Sequence, residues 1–235
     1  MPSTYSPPAS PDVLARKTLV GFGELVIALG IALFAPAGTL AYWQGWVYLF
    51  VFVASSALIT AYLWEKDPEL LARRVNAGPT AERETSQRLI QLVAAMLFIA
   101  FLVTPSLDHR FAWSSVPVAM VIFGEVLVAV GFFAVFLVFR ENSFTAATIE
   151  VAADQRVIAT GPYAVMRHPM YAGALVLLLG TPLALGSWWG LLLFVPITLV
   201  IVWRLRDEER FLSHNLPGYP EYRERVRYRL IPLVW

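Results

Sequence analysis

Two polar segments interrupt an otherwise apolar chain, and both carry residue types able to hold a charged small molecule. TGPYAVMRHPMYAG, residues 160–173, sets Arg167, His168 and two tyrosines among two prolines, and RLRDEERFL, residues 204–212, places Glu208 beside Glu209 among arginines. Gly161-Pro162 is a turn signal, whereas Pro169 disfavours helix at His168 and then suits the first turn of the helix that follows. A helix beginning at Pro169 or Met170 presents free backbone N–H groups beside Arg167 and His168, an end suited to an anion or a hydrogen-bonding ring. In the second segment helical spacing puts Arg204 and Glu208 at i, i+4, likewise Arg206 and Arg210, with Glu209 three positions after Arg206. Such a pattern also describes a solvated, salt-bridged face. Directly after a membrane helix, the double carboxylate can instead hold an ammonium- or sulfonium-bearing ligand, and Arg206 that ligand's carboxylate.

A third stretch, GYPEYRERVRYRLIP at 218–232, alternates aromatic and basic residues. It reads either as an interfacial anchor or as a lid carrying Tyr219, Tyr222 and Arg229 to a ligand, whose cationic centre lies against a tyrosine face.

These segments need elements to position them, and composition says which. The 235 residues are 58% hydrophobic and 15% charged, with mean hydropathy +0.62, well beyond the ~45–50% apolar content of soluble domains. The sequence has no cysteine and three scattered histidines, which sets aside disulfides, thiolate chemistry and a metal site. His109 and His214 read as loop residues. A net charge of +1 gives nucleic-acid binding no electrostatic basis. Apolar runs predict four spans, at about Thr18–Phe34, Trp43–Trp64, Leu89–Leu107 and Val116–Phe139. The first also fits a signal peptide, but its length favours a retained span. Residues 1–17 read as a disordered tail.

The fifth apolar region, 171–203, is too long for one span and short for two. Its LGSWWG centre suits a turn at headgroup level, and charge decides for a hairpin. If Arg16 and Lys17 are cytoplasmic, a hairpin keeps all but one of the 18 basic residues on their side, as the positive-inside rule requires. Glu24 and Glu125 fall within spans, where a carboxyl group needs a partner or a cavity; protonated groups hydrogen-bonded between helices are the expectation. The predicted fold is an all-α integral membrane protein with four transmembrane helices (18–139) and a C-terminal region (140–235) built on the hairpin. The polar segments flanking the hairpin form a cytoplasmic pocket, and both termini are cytoplasmic.

GPYAVMRHPMYAG, the hairpin, RLRDEERFL and YPEYRERVRYRLIP, in that order, resemble the isoprenylcysteine carboxyl methyltransferase family and its relatives among membrane phospholipid methyltransferases. The resemblance covers Arg140 onward. It implies a methyltransferase that uses S-adenosylmethionine in a cytoplasmic pocket and takes a lipophilic small-molecule or lipid acceptor from the bilayer. On that resemblance Gly161, Pro162, Tyr163, Arg167, His168, Pro169 and Tyr171 line the cofactor site, and Glu208 and Glu209 engage the methionyl ammonium. Arg206, Tyr222 and Arg229 close or orient the site, with Arg206 and Glu209 as the catalytic residues and Asn142 a further candidate. A carboxylate acceptor needs no base, whereas an amine acceptor makes a glutamate its proton acceptor. The RHPMY segment and acidic, tyrosine-containing tail also resemble membrane sterol reductases, which implies NADPH instead. A lipid-binding or scaffolding protein is the non-enzymatic alternative.

Overall fold

The computed structural model describes residues 11–75, 85–145 and 155–235. Eight helices occur among them: α1 (Pro11–Ala37), α2 (Trp43–Lys66), α3 (Pro68–Val75), α4 (Thr85–Phe111), α5 (Val118–Glu141), α6 (Pro169–Ala184), α7 (Phe194–Asn215) and α8 (Tyr219–Arg225). Two 3₁₀ turns, Gly161–Ala164 and Trp189–Leu193, complete the order. Five segments are long and apolar enough to cross a membrane, at Pro11–Ala37, Trp43–Lys66, Arg88–Phe111, Val118–Glu141 and Trp189–Asn215. Their outward faces leave Phe50, Leu58, Val195 and Leu199 exposed, the distribution expected when hydrocarbon is the solvent. The protein is an integral, multi-pass membrane protein.

The described part of α1 runs from Pro11, seven residues before the predicted Thr18. Residues 11–17 thus extend the first span; residues 1–10 lie outside the described part.

The 171–203 region does turn back. α6 has only 16 residues, about 24 Å of helix, less than the ~30 Å hydrocarbon core. Its chain reverses at Gly186 (φ +73°), where a left-handed conformation favours glycine. A buried polar knot pins the turn: Asp108 of α4 accepts from Ser187 Oγ and Ser114 Oγ, each at 2.5 Å, and from Ser114 N at 2.8 Å. Tyr42 Oη donates to Leu185 O at 2.6 Å, and Trp188 Nε1 to Ser115 O at 3.2 Å. The α1–α2 loop, the α4–α5 connection and the hairpin turn therefore share one end of the bundle, leaving the polar ends of α6 and α7 together at the other.

α5 and α6 pack antiparallel along glycines one heptad apart. A Cβ on Gly124 would stand 2.2 Å from Ala184 N, and one on Gly131 would stand 2.6 Å from Leu177 N. Small residues at these positions let the two backbones approach, which is how helices gain contact where lipid competes with side-chain packing. Around this pair, Leu33 of α1, Tyr42 just before α2, Tyr48 of α2 and Leu102 of α4 form part of the main core, and Phe101 and Ile197 join α4 to α7.

Four polar residues depart from expectation. Both oxygens of buried Glu125 lack hydrogen-bond partners, so no interhelical bond forms. Glu24 is exposed on the outer face of α1. His109 and His214 sit on helices rather than in loops: His109 stacks on Tyr42 with ring centroids 4.2 Å apart, and His214 Nδ1 lies 2.7 Å from Arg210 O.

Candidate functional site

The polar end of the bundle is assembled from the end of α5, the Gly161–Ala164 turn, the start of α6, the second half of α7, and α8 with its tail. Gly161 adopts φ +56°, and a Cβ there would meet the Glu141 carboxylate at 2.7 Å. Thr160 Oγ1 donates to that same carboxylate. The turn is thereby tied to the end of α5. His168 precedes α6 with φ −126° and ψ 60°, outside the helical region that a following proline disfavours, and Pro169 opens the helix.

The tail folds back onto this segment. Arg167 N donates to Tyr228 O at 2.9 Å and His168 N to Arg229 O at 3.0 Å. Side chains repeat the junction around buried Glu209: Oε1 lies 3.0 Å from Arg167 Nε and 3.3 Å from His168 Nε2, while Oε2 accepts from Arg229 Nε at 3.0 Å. One carboxylate thus binds RHP, α7 and the tail together. Burial lowers the Arg167 pKa and Glu209 opposes that shift.

In front of this clamp lies a small, partly open cleft of about 100 Å³, below the ~300–1,000 Å³ typical of small-molecule sites. Glu208 faces it and accepts a 2.7 Å hydrogen bond from Tyr171 Oη, which in turn accepts from Arg204 Nε at 3.1 Å. Tyr222 Oη donates to Tyr163 O at 2.8 Å, and burial pushes its pKa up to about 12. It stays a donor throughout the physiological range. The Tyr163 hydroxyl, bonded to Asn142, is likewise raised by burial. Tyr219 Oη, buried in the wall, has no hydrogen-bond partner, the kind of orphan a ligand polar atom satisfies. Leu212, Leu216 and Val157 supply an apolar side.

Of the residues singled out in the sequence, Tyr163, Arg167, His168, Tyr171, Glu208 and Tyr222 line the cleft, as do Asn142 and Tyr219. Gly161, Pro162 and Pro169 shape the backbone around it, and Glu209 and Arg229 are spent on the clamp behind it. Arg206 is exposed and outside the lining, because two positions on a helix rotate a side chain about 200° away from Glu208. Phe144, Thr145, Gln155 and Arg156 also line the cleft. Their only signal in sequence was nearness to polar runs between spans.

The family model described as phospholipid methyltransferase matches residues 119–217, from α5 through α7. A Delta(14)-sterol reductase of Mus musculus is 34% identical over 91 residues, 37% of this chain and 22% of that protein. The chain thus matches about a fifth of that relative's length.

Proposed function

We propose, from the match of residues 119–217 to the family model described as phospholipid methyltransferase, that the protein is a membrane methyltransferase that uses S-adenosylmethionine to methylate a lipophilic acceptor. The acceptor carries an isoprenylcysteine-type carboxylate or a lipid amine, and the termini and cleft face the cytoplasm. In this reading residues 18–139 are the transmembrane scaffold and 140–235 the catalytic region. The observation that carries it is the cleft itself. Among the described residues one carboxylate, Glu208, lines the cleft with the tyrosines and Arg167, and Tyr219 supplies a buried hydroxyl without a partner.

These groups fit an aminocarboxylate nucleoside. Glu208, oriented by Tyr171, receives its ammonium; Arg167 and the N–H groups opening α6 suit its carboxylate; the tyrosine faces flank its cationic centre. The bound donor supplies an activated methyl group on a sulfonium with a good leaving group. What the chain must then do is exclude water and hold the acceptor in line. For an amine acceptor, Glu208 is the carboxylate in the cleft able to take the proton, because Glu209 is engaged by three basic groups.

The sterol-reductase similarity supports a second reading in which the cleft takes NADPH. Calorimetry on the detergent-solubilised protein separates the two: micromolar-range binding of S-adenosylmethionine or its demethylated product, without NADPH binding, is the expected result. The opposite pattern transfers the assignment to a reductase, and binding of neither favours a scaffold.

A further inference from the structure

One face of α1 turns away from the rest of the protein. Gly21, Glu24, Ala28, Ile31 and Ala35 are all exposed, and their alternating spacing of three and four residues is the seam of a left-handed helix pair. Leu29 and Leu33, on the opposite side of the helix, are buried in the main core. Of the five spans α1 is the least buried within the protein.

Two residues of this seam have no use inside the chain. Glu24 stands midway between Pro11 and Ala37, at the depth where a carboxyl group in hydrocarbon is most costly. Among the described residues no hydrogen bond or ion pair reaches it. Gly21 has nothing within 4 Å of an added Cβ, whereas Gly124 and Gly131 of α5 are closely faced by α6. A glycine inside a helix costs about 1 kcal/mol relative to alanine, and what it permits in a membrane is the close approach of another backbone.

We propose that α1 pairs along this seam with α1 of a second copy of the chain, the two Glu24 carboxyl groups hydrogen-bonded to each other. A second copy in the same membrane has the same orientation, so a twofold axis along the bilayer normal sets each Glu24 at the depth of the other. A carboxyl group that carries its proton donates through one oxygen and accepts through the other. Two of them therefore satisfy each other with no further group, which removes the cost that a lone one bears in hydrocarbon. Gly21, Ala28 and Ala35, one heptad apart, keep alternate seam positions small and let the backbones come close enough for the glutamates to meet. The pairing stands independently of methyl transfer, because no residue of the seam lines the cleft.

The test uses full-length protein. Sedimentation equilibrium in a neutrally buoyant detergent should show wild type in monomer–dimer exchange. Glu24→Leu should weaken the dimer about tenfold, as expected for interhelical hydrogen bonds in hydrocarbon, and Gly21→Leu should weaken it comparably by holding the backbones apart. Both side chains face outward, so the monomers should melt within about 2 °C of wild type. Glu24→Gln should retain most of the dimer, since an amide also donates and accepts. Because the sequence has no cysteine, Ala28→Cys in liposomes should oxidise largely to a disulfide-linked dimer, and Leu58→Cys, 73% exposed on α2, should not. A wild type that stays monomeric, an undiminished dimer in Glu24→Leu, or equal cross-linking at positions 28 and 58 overturns the proposal. Loss of the dimer in Glu24→Gln as complete as in Glu24→Leu also overturns it, and assigns the face to a partner helix that carries a cation.

Discussion

Glu208 and Glu209 adjoin in sequence, yet roughly 100° of helical rotation sends one into the cleft and the other behind its wall. The consequences of removing them separate accordingly. Glu209→Gln leaves Arg167 and Arg229 close together without their counter-charge, and breaking such a buried pair costs about 3–5 kcal/mol. Its thermal midpoint in detergent should fall by roughly 10 °C, with the tail becoming protease-sensitive. Glu208→Gln should melt within about 2 °C of wild type, since only a rim hydrogen bond changes, but should weaken S-adenosylmethionine binding about tenfold or more. Similar melting and similar affinity in the two variants would show that both carboxylates serve one role. The cleft residues from Tyr163 to Tyr171 were legible in sequence because turn and proline rules fix their local geometry. Arg206 was not, because i, i+4 grammar fits any face of α7, and docking of that helix decides which face meets the cleft. Glu209's three partners depend on the tail folding back, which no local spacing encodes.

At the scale of elements, the hairpin was readable from length, charge and the glycines of LGSWWG, but what holds it was not. Asp108 lies just past the predicted span Leu89–Leu107, and it anchors the turn only because α4, Ser114 and Ser187 come together. The glycines on α5 and α6 were equally mute, because a seven-residue spacing has meaning only once the partner helix is known. Their value can be measured against a control within the same chain. Gly124→Ala drives a methyl group toward the Ala184 backbone, where no side chain can move aside, and overpacking of this kind costs about 1–3 kcal/mol. Gly30 has nothing within 4 Å of the same added methyl, so Gly30→Ala gains about 1 kcal/mol of helix propensity. Thermal unfolding should therefore shift in opposite directions. A neutral or stabilising Gly124→Ala would mean that α5 and α6 do not approach this closely.

Sidedness belongs to the whole molecule and follows from adding charges that individually decide little. Arg110 of α4 lies near the end that holds the hairpin turn, since Asp108 two residues earlier accepts from Ser187. Arg74, Arg140, Arg167, Arg204 and the tail arginines lie at the cleft end, tied there by contacts that run from Thr145 to Glu209. The charge bias was visible from sequence, whereas the shared placement of these groups needed the helices to reverse together. With no native cysteine, the chain is suited to single-cysteine labelling without background. Thr39→Cys, in the exposed loop between α1 and α2, and Glu224→Cys, exposed on α8, lie at opposite ends of the bundle. In intact cells a membrane-impermeant maleimide should label Thr39→Cys at once and Glu224→Cys only after permeabilisation. Labelling of both from outside would break the hairpin, because it requires the tail to stand on the α1–α2 loop side. Exclusive labelling of Glu224→Cys would invert the molecule, put the cleft outside, and separate it from any cytoplasmic supply of methyl donor.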